Sequence, residues 1–323
     1  MADIPVIDIT SLASDDPAAR AEVASRLGTA CRGIGFFCIA GHGIPPELTS
    51  AVFAESRRFF ALPEEQKAEL SITRSLHNRG YVALSGEQLQ LDKDPDMKEA
   101  FNIGFDLAPD HPDVLAGRPF RGVNLWPQIE GWRETMLSYY DAVWHVGRLL
   151  HRGFAIDLGL PDDFFEDKLD FPIATLRLLH YPPYLGPTGG NLVGAGAHCD
   201  YGNVTILRTD GVAGLQIQTR DGSWIDAPAF EGTLICNIGD CLMRWTNDIY
   251  VSTPHRVRLP TTDRYSIAFF LVPNPDAKVA LLPTCQSAER PPRYAPIASA
   301  AYLKSRLDAT YEHRKTAAEG AIA

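Results

Sequence analysis

The amino-acid sequence predicts an α+β protein in which helices flank a β-rich core, and two observations carry that prediction. Apolar residues recur at helical spacing in the ranges 17–32 and 126–158. Beyond Asp170 the pattern changes to short runs of β-branched and aromatic residues, each bounded by Gly, Pro, Asn or Asp. No helix-length pattern separates these runs, which favours an antiparallel sandwich or barrel over a parallel sheet.

The elements follow one another in a simple order. A β-type run at 5–9 precedes the first helix, and the apolar strand 35–40 precedes a second helix that begins at Pro45-Pro46. The range 71–127 has poor periodicity, so we expect long loops with short strands near 79–82 and 100–103. The remaining expected elements are strands at 174–181, 204–207, 215–218, 224–225, 233–238 and 265–272, and a last helix from Ile297 to about Arg314.

Length, composition and charge describe a globular chain with a small-molecule partner. The 323 residues correspond to about two domains by length alone. We expect an N-terminal region, 1–125, and a region 126–323 with the linking helix, the β-rich domain and a C-terminal helix, together forming one compact unit. Hydrophobic residues make up 45% of the chain, enough for a large core. The net charge of −10 argues against a nucleic-acid partner, because such binding requires clusters of Lys and Arg.

The sequence also predicts a cytoplasmic location. The first residues lack the basic start and apolar run of a secretory signal, and no stretch approaches the ~18 apolar residues of a membrane span. The 6 cysteines include no C-x-x-C pair, which indicates reduced thiols.

A possible metal site lies in the short strand expected at 197–201. Alternate side chains of a strand point to the same face, and two residues rise about 6.6 to 6.8 Å, so His198 and Asp200 can converge on one ion. His255 lies in another β-type segment, 251–257, and would supply a third ligand if the sheet brought the two segments together.

A single His-x-Asp is weak evidence, because the chain contains a second copy at His111 and Asp113. That copy has Pro112 between its two members and lies in a turn-rich loop, where side-chain alternation does not apply. We therefore interpret it as a surface loop.

Arg264 begins the very apolar strand that continues through Val272 and shares one face with Ser266. A guanidinium in this position either caps the strand in an edge ion pair or awaits the carboxylate of a ligand, for which its planar fork is suited.

Taken together, these residues resemble the isopenicillin N synthase-like group of iron(II)- and 2-oxoglutarate-dependent oxygenases, over most of the chain. The motifs are Gly35-Phe36-Phe37, His42-Gly43, Phe59 to Pro63, Tyr181-Pro182-Pro183, His198 with Asp200, Gly214-Leu215-Gln216, Asn237-Ile238-Gly239-Asp240, Thr246-Asn247, His255-Arg256-Val257 and Arg264-x-Ser266. Their order and spacing are more specific than any one of them.

The resemblance implies a double-stranded β-helix, or jelly roll, and a set of ligands. Iron(II) would be held by His198, Asp200 and His255, and 2-oxoglutarate by Arg264, Ser266 and Tyr181. Two histidines and one carboxylate leave three metal positions open for the cosubstrate and O2. The implied reaction oxidises a small organic substrate and releases succinate and CO2.

Two residues depart from the family pattern. Cys199 stands where threonine is usual, and alternation should point it away from the metal. Leu179 stands where many relatives have asparagine, which removes one expected contact with the cosubstrate.

Two alternatives stay open at this point: an iron oxidase of the same fold that does not use 2-oxoglutarate, and a non-redox jelly roll in which the three ligands hold zinc or another metal. The expected substrate residues are Arg79, Tyr81, Asn102, Arg177 and Phe270.

Overall fold

A computed structural model describes residues 4–187 and 192–310. In these ranges the helices are α1 (Pro17–Gly33), α2 (Pro46–Phe60), α3 (Glu64–Ala68), α4 (Pro112–Leu115), α5 (Trp132–Asp157), α6 (Glu166–Leu169), α7 (Asp240–Trp245) and α8 (Ser299–Thr310). The strands are β1 (Val6–Asp8), β2 (Phe36–Ala40), β3 (Gly80–Val82), β4 (Glu99–Gly104), β5 (Thr175–Tyr181), β6 (Ala195–His198), β7 (Val204–Thr209), β8 (Leu215–Gln218), β9 (Trp224–Asp226), β10 (Leu234–Ile238), β11 (His255–Val257), β12 (Arg264–Leu271), β13 (Lys278–Val279) and β14 (Ile297–Ala298).

Two sheets form the jelly roll, as predicted. The larger has eight strands in the order β1-β2-β10-β7-β12-β5-β4-β3, and the smaller has the order β6-β11-β8-β9. Apart from the parallel pairing of β1 with β2, the described strand pairs of these sheets are antiparallel. Residues of both sheets line one cavity, so the sheets face each other across it.

The large sheet separates a hydrophobic core from the cavity. On β12, Ile267 and Phe269 belong to the core that includes α5, whereas Ser266 and Ala268 line the cavity. This is the period-two alternation of a strand that is buried on both faces. Each fully buried apolar side chain contributes about 1.5 to 3 kcal/mol, so the core face anchors the strand while the cavity face carries polar groups.

Helices α1, α2 and α5 pack against the outer face of the large sheet. Asp16 accepts a hydrogen bond from the Ala18 backbone N–H at 2.9 Å and Pro17 occupies the first turn, which together start α1. Helix α5 begins at Trp132 and not at Trp126 as expected. The reason is Gly131, whose φ of 77° lies in the left-handed region and interrupts the helical conformation.

Other boundaries also differ from the expectation. Strand β6 ends at His198, so Asp200 lies in the irregular segment that follows and not in the same strand. The six-residue helix α7 was not predicted, because a segment this short carries too little periodicity. The last predicted helix is α8, and its expected final residues lie outside the described ranges. Within those ranges, no helix combines the length and the apolar character needed to cross a membrane.

Candidate active site

Sheet pairing brings the three predicted metal ligands together. His198, the last residue of β6, lies directly opposite His255, the first residue of β11. The Oδ1 atom of Asp200 lies 3.8 Å from the Nε2 atom of each histidine. One ligand atom from each of the three residues lies within 4.8 Å of the other two.

Backbone carbonyls orient the two imidazole rings. The Nδ1 atom of His198 lies 2.7 Å from the Gly196 carbonyl oxygen, and that of His255 lies 3.2 Å from the Thr253 carbonyl oxygen. A neutral ring that donates through Nδ1 presents the lone pair of Nε2, which is the form that binds a metal. Burial, and then the electrostatic effect of the neighbouring His255, lowers the pKa of His198 to about 4, so this ring is neutral at pH 7.

The carboxylate of Asp200 is also held in one orientation. Its Oδ2 atom accepts hydrogen bonds from Thr205 Oγ1 at 2.5 Å and from Asn237 Nδ2 at 2.7 Å. Burial alone would raise its pKa, but His255 and His198, together with these two hydrogen bonds, lower it. The group is therefore an anion whose Oδ1 atom faces the histidines. Two imidazoles and one carboxylate fit a divalent iron ion.

Arg264 and Tyr181 lie opposite each other where β12 and β5 pair. The guanidinium of Arg264 is 1% exposed, lies 4.8 Å from the centre of the Tyr181 ring and is 3.5 Å from Ser266 Oγ. Among residues 4–187 and 192–310 it forms no ion pair with a carboxylate. A buried cation without an anion is costly, so this group fits the free carboxylate of a bound 2-oxoglutarate and not an edge ion pair.

One cavity joins the metal ligands to Arg264. It has a volume of about 140 Å³ and is lined by the three metal-ligand candidates and by Arg264, Ser266 and Tyr181. Leu303 and Leu307 of α8 also line it. The cavity therefore brings a candidate metal site and a candidate carboxylate-binding site into one space large enough for compact ligands only.

The expected substrate residues divide into two groups. Arg177, Asn102 and Phe270 line the cavity. Arg79 and Tyr81 do not, because they are held elsewhere: Arg79 donates to the backbone carbonyls of His77 and Phe120, and Tyr81 donates to Glu99 at 2.6 Å. Alternation explains the difference, since Gly80 is the residue of β3 that pairs with Asn102.

Several residues of the site were not predicted. Thr205 lies in an expected strand and Asn237 in one of the family motifs, but neither was expected to contact Asp200. Only the pairing of β7 with β10 shows that both reach it. Glu87, Lys98 and Asn78 line the cavity from loops and strand ends, where no periodicity could have indicated them. Cys199 lies beside the metal ligands in sequence, and its thiol contacts the Ser252 carbonyl oxygen at 3.7 Å.

Comparison with known families agrees with this geometry. Residues 4–129 match the N-terminal region described for the non-haem dioxygenase of morphine synthesis, and residues 172–273 match the 2OG-Fe(II) oxygenase superfamily. The chain belongs to the 2-oxoglutarate- and iron(II)-dependent oxygenases. Within them it is a member of the isopenicillin N synthase-like family.

Individual relatives of this oxygenase extend over nearly its whole length. The 2-oxoglutarate-Fe(II) type oxidoreductase hxnY of Emericella nidulans is 37% identical over 91% of this chain and 86% of its own. A full-length Neurospora crassa protein, crystallised with α-ketoglutarate and thymine, superimposes with a TM-score of 0.84 at 32% identity, covering 95% of this chain and 96% of that one. The structure of JOX2 with 2OG, Fe and JA gives a TM-score of 0.77 at 30% identity, covering 95% and 84%.

These relationships decide between the alternatives left open by the sequence. The oxygenase uses Fe(II), 2-oxoglutarate and O2 and oxidises a small organic substrate. An iron oxidase independent of 2-oxoglutarate and a non-redox metal protein are not favoured.

Proposed function

We propose that His198, Asp200 and His255 bind the iron, and that Arg264, Ser266 and Tyr181 bind 2-oxoglutarate. The single observation that carries this proposal is the cavity that joins three converging ligand atoms to a buried guanidinium without a carboxylate partner in the described residues. When bound, Fe(II) would supply the redox chemistry that couples oxidative decarboxylation of 2-oxoglutarate, to succinate and CO2, to oxidation of the substrate.

The residues of this chain then have separate tasks. Arg264 and Ser266 fix the cosubstrate at one end of the cavity, with Tyr181 beside them. Thr205 and Asn237 hold the Asp200 carboxylate, which leaves Oδ1 available as a ligand. Arg177, Asn102 and Phe270 face the substrate, and Leu303 and Leu307 close the cavity with apolar surface that excludes water.

The test compares two His-x-Asp pairs. Under anaerobic conditions, Fe(II) with 2-oxoglutarate should give the wild-type protein a weak visible charge-transfer band, which zinc would not give. His198→Ala should abolish the band, whereas the matched variant His111→Ala should retain it. A band that survives His198→Ala, or is lost in His111→Ala, would place the metal elsewhere.

We also propose that the regions 1–125 and 126–323 form one compact unit and that the protein works in the cytoplasm. Strands from both regions lie in one sheet, which supports the first statement. A single cooperative unfolding transition would test it. The net charge of −10 supports the absence of a nucleic-acid partner, and cell fractionation tests the location.

A further inference from the structure

Two asparagine side chains line the cavity, and the amide oxygen of each receives no hydrogen bond within the part of the chain that the structure describes. Asn102 is 1% exposed and Asn78 is 8% exposed. The Oδ1 atom of each is buried and accepts no hydrogen bond from any residue that the structure describes. Leaving a buried acceptor unpaired is unfavourable, so both amides are suited to pairing with a ligand.

The Asn102 amide lies at the substrate end of the cavity. Asn102 on β4 pairs with Arg177 on β5, and Arg177 pairs in turn with Ala268 on β12. All three residues line the cavity. They lie two positions along their strands from another cavity-lining pair, Thr175 on β5 and Phe270 on β12. The opposite end of the same strands carries Tyr181 and Arg264. Asn102 is therefore separated from the groups that would hold 2-oxoglutarate.

The charged groups around Arg177 compensate one another. Arg177 makes two hydrogen bonds with Glu87, at 3.2 and 2.8 Å. Lys98 lies 3.0 Å from Glu87 and also pairs with Asp96. Burial would raise the pKa of Glu87, but Arg177 and Lys98 outweigh it and the pKa is lowered. Two cations thus face two anions, and neither a carboxylate nor an ammonium group of a substrate would find an uncompensated charge here.

We propose that this end of the cavity binds a compact, neutral substrate with an amide-type N–H beside a carbonyl, such as a lactam, an imide or a carboxamide. This inference rests on the proposed function, since it places the substrate in the same cavity. An asparagine side chain presents an acceptor and a donor side by side, and an N–H next to a C=O is its complement. The partly exposed ring of Phe270 adds an aromatic surface for a planar group.

The test uses three probes that share the same pyrimidinedione ring. They are thymine, 1,3-dimethylthymine, in which both N–H groups are replaced by N–CH3, and uracil-5-carboxylate, which adds a negative charge. Binding to the anaerobic Fe(II)·2-oxoglutarate enzyme is measured by calorimetry. Thymine should bind at least tenfold more tightly than either of the other two probes. Equal binding of thymine and its dimethyl derivative, preference for the carboxylate, or no binding of thymine would overturn the proposal.

Two variants separate direct contact from general damage. Asn102→Ala should weaken the binding of thymine about tenfold and that of 1,3-dimethylthymine by clearly less, because the hydrogen bond from a ring N–H to Asn102 Oδ1 exists only with the first probe. Glu87→Gln removes one negative charge, so it should increase the affinity for uracil-5-carboxylate by at least tenfold. Equal losses for thymine and its dimethyl derivative in Asn102→Ala, or no gain for the carboxylate in Glu87→Gln, would contradict the assignment.

Failure of this inference is distinguishable from failure of the proposed function. If the metal and cosubstrate assignments hold, the wild-type protein and Asn102→Ala both show the charge-transfer band and the same affinity for 2-oxoglutarate. A protein that shows the band but does not bind thymine contradicts the substrate class alone.

Discussion

The amide of Asn237 donates a hydrogen bond of 2.7 Å to Asp200 Oδ2, the oxygen that faces away from the two histidines. The two residues lie on different segments, and the pairing of β10 with β7 brings them together beside Thr205. Groups that orient a metal ligand are often worth 10- to 100-fold in metal affinity, so this contact predicts a measurable role.

Asn237→Ala and Thr205→Val should each weaken Fe(II) or Mn(II) binding by roughly tenfold or more, because Asp200 would lose one of the bonds that orient it. Anaerobic metal titration measures this. The control is Asn203→Ala, another buried asparagine, whose amide contacts His151 at 2.9 Å. It should lower stability with no change in metal affinity, and a matching loss of affinity there would indicate general damage.

Arg264→Ala should weaken 2-oxoglutarate binding by roughly 10- to 1000-fold, because charge-assisted hydrogen bonds to the cosubstrate are lost. Arg264→Lys keeps the charge but not the planar fork, so its loss should be intermediate. Titration of the charge-transfer band gives each affinity. Arg258→Ala, which removes a surface pair with Asp226, serves as the control and should bind normally. A loss below tenfold in Arg264→Ala would assign the carboxylate to another group.

His151 should make stability depend on pH. Its Nδ1 atom lies 2.7 Å from the Gly147 carbonyl oxygen, and burial lowers its pKa to about 4. Unfolded histidine titrates near pH 6.5, so between these values the unfolded state binds more protons and stability falls as pH falls. We expect this group to cost about 2 kcal/mol of unfolding free energy between pH 7 and pH 5.

Denaturant unfolding at the two pH values measures the effect. His151→Gln should lose this part of the pH dependence, whereas His145→Gln, at an exposed position of the same helix, should keep it. Identical pH dependence in wild type and His151→Gln would refute the assignment.

Two glycines of α1 should respond differently to alanine. A Cβ at Gly28 would lie 2.0 Å from Asp157 Oδ1, in a carboxylate that also pairs with Arg32 and Tyr250. Gly28→Ala should therefore destabilise the protein by about 1 to 3 kcal/mol. A Cβ at Gly33 would meet no atom of the described residues within 4 Å, so Gly33→Ala should be neutral or slightly stabilising. Thermal unfolding distinguishes the two, and equal effects would contradict the packing argument.

The sequence alone determined the features that repeat over short distances. Period-two alternation on β12 placed Arg264 and Ser266 on one face, and helical spacing located α1 and α5. The spacing of His198 and Asp200, with the family motifs, named the metal candidates before any contact was known. Such information is local, because a strand or helix shows its buried face within a few residues.

Only the tertiary structure decided which distant groups meet. The contact of Asn237 with Asp200 spans 37 residues, and that of Arg177 with Glu87 spans 90. It also showed that Arg79 faces away from the cavity, whereas Asn102 faces into it. The physical reason is that the register between strands and the path of loops are set by packing of the whole core, and no short-range pattern encodes them.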